Sequence, residues 1–427
     1  MSIPLFLFTY NCGKSAEDIC SDAGSTAYSN FVDNLFANIP GSKASGDHAK
    51  LYVFAFQELC SVLNGSFPGI VGPKLSKLGD IILDVLRSKH GHDVDFTLIT
   101  KAHIGAIGLL VISDSPQNIK SIRKADSSCG YFRSSLKGGC GVRLTLTHED
   151  DETEFTFVSC HLNANEGTEK YNRRNQDFYD IVRSMDFGDE WSVLKPDSHC
   201  FIMGDLNYRA TANIFKTDSS TTKDQAESAA DTLLLTSFKN LEEVDELTCA
   251  RNANQVFWGF DEAPIKFRPT YKFFEGTAKY NSKRIPSWCD RILYQSYKSP
   301  VEDVGSSSST DLPVPSSDKI LPPVKVISYS SIPEISLSDH KPVYLSINVP
   351  FNAPKSVIDS QGLLISRQKS QGSLILKPTV WDKQFNRRFT YTADTLIGYG
   401  LWGTCTLKGR LLFFLVLVAV LLFIDSL

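Results

Sequence analysis

Short apolar runs recur as far as Pro350: KLYVFAFQEL, GLLVIS, GVRLTLTH, EFTFVSCHL, CFIMGDLN, CDRILY and KPVYLSINV. Their lengths and the loop or helical stretches between them predict a strand-rich α/β domain. The opening segment SIPLFLFTYN lacks a basic flank and a small-residue cleavage site, so it is expected to be a first β-strand and not a secretion signal. Leu75, Leu78, Ile82, Val85 and Leu86 recur at helical spacing, as do Phe178, Ile181, Val182 and Met185, so each set predicts a helix with one face packed on a sheet.

The pattern then loosens twice. Ser299 to Pro323 is rich in Ser and Pro without periodicity and is expected to be a mobile surface loop. After Pro350, residues 351–406 form a Ser/Gln/Lys-rich stretch with Lys355, Arg367, Lys369, Lys377, Lys383, Arg387 and Arg388, expected to be a flexible connector, whether an ordinary solvated linker or a tether near anionic lipid. Residues 407–427 close with an uncharged run from Leu411 to Ile424. As a helix this run is about 21 Å long against about 27 Å for a thin bilayer. It has no polar face, so a membrane tail is expected over a buried core helix. Lys408 and Arg410 flank it upstream and place that flank, with the body of the chain, on the cytosolic side. The short run favours the endoplasmic reticulum.

With 427 residues and 42% hydrophobic content the chain can bury a substantial core. A net charge of -4 excludes binding of nucleic acid through bulk positive charge, so any anionic substrate must be met by a local pocket. The ten cysteines show no paired CxxC spacing, which argues against a zinc cluster or a disulfide framework and for a reducing compartment. Cys289 follows an apolar Trp and is expected to be a packed core residue.

Several polar residues cluster at predicted strand ends. In GDLNYR, Asp205 and Asn207 lie two apart after an apolar run, which would point both side chains the same way from a strand end; an Asp-Leu-Asn turn is the other reading. SDHKPV sets Asp339 beside His340 just before a strand, and CDRIL sets Asp290 at the mouth of another. An aspartate that fixes a histidine tautomer is a recurring acid/base device. Glu58, ending FAFQE, offers a hard oxygen ligand suited to Mg²⁺ and not to zinc.

Taken together, TYN, FQE, CHL, RRN, GDLNYR, FRPTYKFFEGTAKYNSKRIPSWCDRIL and SDHKPV stand in the order of the motifs of the inositol polyphosphate 5-phosphatase family, of the endonuclease/exonuclease/phosphatase superfamily. The resemblance runs from Ile3 to Val349, and the tail resembles that of the fungal tail-anchored members. It implies a catalytic domain over residues 1–350, folded as a four-layer α/β sandwich of two mixed sheets flanked by helices. It also implies roles: Mg²⁺ on Glu58 and Asn11; attacking water oriented by Asp205 and Asn207; His340 oriented by Asp290; His161 and His340 on the scissile phosphate; Asp339 beside the water. Tyr271, Lys272, Lys283, Arg284 and Lys137 would meet the other substrate phosphates, and Arg174 and Asn175 would brace the pocket. The expected function is hydrolysis of the 5-phosphate of phosphatidylinositol 4,5-bisphosphate by a membrane-bound monomer with no nucleic-acid partner. The alternatives are an inactive lipid-binding tether of the same fold and a superfamily nuclease.

Overall fold

The computed structural model describes residues 1–44, 47–211, 223–298, 324–365 and 373–425. Among them the strands are β1 (Ser2–Asn11), β2 (Leu51–Gln57), β3 (Thr97–Ile104), β4 (Ile107–Ser113), β5 (Ile119–Ser128), β6 (Gly138–His148), β7 (Asp151–His161), β8 (Ser198–Asp205), β9 (Phe260–Asp261), β10 (Asp290–Gln295), β11 (Lys325–Ser331) and β12 (Val343–Pro350). They form two six-stranded sheets, ordered β11-β12-β1-β2-β4-β3 and β5-β6-β7-β8-β10-β9. Both are mixed, because β1–β2 and β7–β8 run parallel while their other neighbours run antiparallel.

Strand alternation builds the layers. In β1 and β2, Leu5, Leu7, Val53 and Ala55 face the second sheet, where they meet residues such as Val142, Phe155, Phe157 and Phe201 in a shared core. Their alternates Phe6, Phe8, Tyr52 and Phe54 point the other way and pack under α1 (Thr26–Asn38) and α2 (Pro68–His90). The five residues expected on one helix face are all buried on α2. On the outer side of the second sheet, Val158, Cys160, Ile202 and Leu293 lie under α3 (Thr168–Ser184), which contributes Phe178, Ile181 and Val182, with Met185 just past its end. Helices α4 (Lys223–Val244) and α5 (Glu246–Asn252) follow β8.

The C-terminal region departs from expectation. The expected loop Ser299–Pro323 lies outside the described residues, but the expected flexible connector is not free chain where it is described. Val357, Ile358, Leu364 and Leu376 are buried in the outer core of the second sheet, and Arg387–Cys405 is a helix, α6. These aliphatics are irregularly spaced, so they carry no periodic signal; what orders them is a tertiary partner. Helix α7 (Leu407–Asp425) follows. Among the described residues no single helix is long and apolar enough to cross a membrane; Asp382–Cys405 and Leu407–Leu421 meet that test only as a pair, bent by 90°.

Candidate active site

One edge of the sandwich collects the polar strand ends, and the topology explains why. The parallel pairs β1–β2 and β7–β8 finish together, with Asn11 opposite Gln57 and His161 opposite Asp205. Because β10 runs antiparallel to β8, it begins where β8 ends, with Asp290 opposite Asp205. Likewise β12 runs antiparallel to β1, so Asp339 and His340, just before it, arrive beside the end of β1. Gly204 permits the close approach of β8 to β7: its φ is +147°, and a Cβ there would lie 1.9 Å from the Cys160 carbonyl oxygen.

Asp205 is the hub. Its Oδ2 accepts from Asn11 Nδ2 at 2.8 Å and Asn207 Nδ2 at 3.1 Å, and lies 3.2 Å from His161 Nε2 and 3.8 Å from His340 Nε2. Asp205 Oδ1 accepts the Asn207 backbone N–H at 3.0 Å. Asn207 has a φ of +57°, so a turn folds Asn207 back onto Asp205. The expected same-face strand geometry is therefore corrected: β8 stops at Asp205, and the turn and the site are one feature.

A second chain of bonds fixes His340. Its Nδ1 meets Asp290 Oδ2 at 2.9 Å, and that oxygen also accepts from Thr270 Oγ1 at 2.7 Å. The His340 ring lies 4.5 Å from that of Tyr271, and the Arg209 guanidinium sits 4.3 Å from the other ring's centre while also bonding Asn207 Oδ1. Thr270 and Arg209 were both inside the recognised motifs yet drew no role from sequence; only contact with the flagged residues reveals what they hold. The expected core position of Cys289 is observed, with the side chain fully buried.

The charges are arranged in opposition. Burial alone would raise the Asp205 carboxyl, but His340, His161 and Lys137 hold it far below the usual carboxylate range. Burial works against a charge on His340, yet Asp290, Asp205 and Asp339 together push its pKa up to about 9. His161 moves the other way, lowered by burial and by Lys137, whose ammonium touches its Nε2. Burial lowers Lys137 as well.

Around this centre the remaining expected residues separate. Lys137, His161 and Glu58 line a cavity of about 410 Å³ together with Lys14, Tyr131, Asn163 and Asn165. Lys272 is paired with Asp339. Arg284 is exposed and reaches the rim through Asn165 Oδ1 at 3.4 Å. Lys283 is exposed, with its backbone N–H on Asn281 Oδ1, and is not brought into the cluster. Arg174 is fully buried and bonds Glu246 and the carbonyls of Asn163 and Asn165, while Asn175 accepts from Tyr208, so both brace the wall.

Glu58 is a residue with φ +49° just past β2, and its carboxylate is 43% exposed, 3.9 Å from His161. By donor type, the Glu58 carboxylate and the Asn11 amide oxygen, which accepts the Gly13 backbone N–H at 3.1 Å, are hard oxygen ligands of the kind that suits a divalent cation. Asp205, Asp290 and His340 also bring one donor atom each within 4.8 Å of one another. Within that trio the His340–Asp290 hydrogen bond already joins two of the three groups.

The sequence pattern of the Endonuclease/Exonuclease/phosphatase family 2 matches residues 8–346. Among curated proteins, type II inositol polyphosphate 5-phosphatase 15 of Arabidopsis thaliana is 31% identical over 64% of this chain and 26% of its own length. Polyphosphatidylinositol phosphatase INP53 of Saccharomyces cerevisiae is 30% identical over 69% of this chain and 23% of its own length. Mouse phosphatidylinositol 3,4,5-trisphosphate 5-phosphatase 2 is 27% identical over 81% and 24%. The chain thus spans about a quarter of the length of these relatives. Among solved structures, the inositol polyphosphate 5-phosphatase domain of SPsynaptojanin, in complex with inositol (1,4)-bisphosphate and calcium ion, superposes with a TM-score of 0.59 at 22% identity, covering 93% of this chain and 92% of that one. A Cimex nitrophorin in its ferrous NO complex reaches 0.51 at 19% identity, over 82% and 99%. These two share the fold, which by itself is compatible with more than one chemistry. The chain belongs to the Endonuclease/Exonuclease/phosphatase family 2, and within it is similar to the inositol polyphosphate 5-phosphatases.

Proposed function

We propose that the chain hydrolyses the 5-phosphate of phosphatidylinositol 4,5-bisphosphate to leave phosphatidylinositol 4-phosphate, in a Mg²⁺-dependent reaction on the cytosolic face of a membrane, that of the endoplasmic reticulum. The observation that carries this reading is the convergence of Asn11, Glu58, His161, Asp205, Asn207, Asp290 and His340 at one edge of the sandwich, where strand ends of both sheets meet. An inactive tether has no need of that complete set. A nuclease would need a basic surface that a net charge of -4 does not favour.

Phosphoryl transfer asks mainly for positioning and for neutralisation of charge on the phosphate oxygens. Asp205, kept ionised by its cationic neighbours, accepts a hydrogen bond from the attacking water, holds it in line and takes its proton as the O–P bond forms. Asn207, pinned by the Leu162 carbonyl at 3.1 Å, keeps Asp205 in that pose. His340, protonated at neutral pH, and Lys137 supply positive donors to the phosphate oxygens. Mg²⁺ held by Glu58 and Asn11 would supply further charge neutralisation there. No cysteine nucleophile is required, and Cys289 is sealed in the core. Helix α7 supports attachment to the bilayer as a tail.

The test is phosphate release by the full chain from a panel of phosphoinositides in mixed micelles. Release should be confined to 5-phosphorylated lipids, stop with EDTA, and fall by about 10³-fold or more in Asp205→Ala. Release from the 3- or 4-position, or an unimpaired Asp205→Ala, would overturn the assignment.

A further inference from the structure

Helix α6, with the turn that leads into it, is amphipathic the wrong way round for a helix on a water-soluble body. The side turned to the protein carries Asp382, Asn386, Thr390, Asp394 and Gly398, spaced every four residues and all buried. These are bonded inward: Asp382 to Arg183 at 2.8 Å, Thr390 to Ser128, and Asp394 Oδ1 to the Ser135 backbone N–H at 2.8 Å. Gly398 lies against Ser66 and Phe67. The outward side carries Trp381, Phe385, Phe389 and Leu396, exposed by 51%, 37%, 51% and 71%. The three rings form one cluster, with Phe385 and Phe389 at 4.8 and 5.4 Å from Trp381. A surface helix ordinarily turns its apolar stripe to the core and its polar face to water. Here the polar stripe is used up by the body and the aromatic stripe is left outside.

Two further features say what covers it. Exposed charges between Val380 and Cys405 are all positive, namely Lys383, Arg387 and Arg388, and both acids of this stretch are buried. The helix is also followed, through a 90° bend, by α7, whose sequence is uncharged and apolar from Leu411 to Ile424. Aromatic rings interleaved with basic side chains suit the headgroup layer of an anionic bilayer, where rings sit at the boundary and cations meet lipid phosphates. A right angle is the relation between a helix lying in that layer and one entering the hydrocarbon.

We propose that the outward face of α6 is a docking surface for an anionic lipid bilayer, lying in the headgroup layer. The proposal deepens the membrane part of the function read above. Because the inward face holds Ser128, Ser135 and the Ser66–Phe67 turn, next to Gly65, Gly130 and Ser135 of the cavity wall, docking fixes how the candidate active site meets the lipid.

Depth-resolved quenching of the full chain in vesicles of phosphatidylcholine and phosphatidylserine tests it without recourse to activity. Lipids brominated on the acyl chain near the headgroup should quench a component of Trp emission that is missing in Trp381→Phe. If that difference spectrum is the same in brominated and unbrominated vesicles, the proposal is overturned. Dimers in detergent that dissociate in Trp381→Ser/Phe385→Ser/Phe389→Ser would also overturn it, assigning the face to a second copy. A separate arm compares turnover of that triple variant on vesicles and on micelles. The ratio of vesicle to micelle turnover should fall by about tenfold, and an unchanged ratio would count against docking. Loss of turnover by the wild-type chain on both, with quenching intact, would remove the enzymatic reading and leave the docking surface standing.

Discussion

His340 stands among three acids, and that placement makes its charge the most informative single property of the site. Burial opposes the imidazolium, but Asp290, Asp205 and Asp339 raise its pKa to about 9, so the ring stays protonated through neutral pH and loses its charge as pH rises through that value. If His340 donates to phosphate oxygens, kcat/KM should fall on the alkaline side near pH 9. Asp290→Asn removes its foremost acidic partner and should move that limb to lower pH by about one unit or more. Full pH–rate profiles of the two proteins decide the matter, and an alkaline limb that does not move would detach His340 from the reaction. Sequence located His340 and Asp290 because both flank apolar runs. It could not locate Thr270 or Arg209, whose significance lies in what they touch: the shared Asp290 oxygen in one case, the Tyr271 ring and Asn207 in the other.

At the scale of elements, α6 reaches the chemistry through a loop. Gly130 to Lys137 includes two consecutive non-glycine residues in the left-handed region, Phe132 at +53° and Arg133 at +62°. Such a backbone costs on the order of 1–3 kcal/mol per residue and persists only where its surroundings hold it. The Asp394 bond to the Ser135 N–H is one such hold, and Lys137 lies two residues on, against His161. Asp394→Ala should lower kcat/KM about fivefold or more, the equivalent of a buried bond lost, while Asp394→Asn, which keeps the accepting oxygen, should stay near wild type. Equal kinetics for the two variants would leave Asp394 with no part in placing Lys137. None of this was legible beforehand, since α6 shows its polar side to the protein. The strands tell the same lesson. Among the eight inner strands, β2, β4, β8 and β10, packed on both faces, carry continuous apolar runs, while β6, β7 and β12 alternate apolar with polar residues. The four edge strands, β3, β5, β9 and β11, carry no such signal: β5 reads IKSIRKADSS and β11 KVISYSS, polar sequences on exposed edges.

For the whole molecule, the consequence is where the fold ends. Motifs run out near Val349, and a boundary drawn there from the sequence separates a domain from a connector. The packing does not respect that boundary, because Val357, Ile358, Leu364 and Leu376 close the outer core of the second sheet. Burying side chains of this kind contributes about 1.5–3 kcal/mol each, an upper range, against a net stability for a domain of about 5–15 kcal/mol. A fragment ending at Pro354 should therefore melt well below one ending at Pro378, by about 5 °C or more, and should bind an apolar dye before it unfolds. Scanning calorimetry of the two fragments beside the full chain gives the answer directly. Were the shorter fragment as stable as the longer, the segment would be a mere passenger on the sheet. Were it less stable, as the burial demands, weak turnover by the short fragment would report a damaged fold and not the absence of an active site.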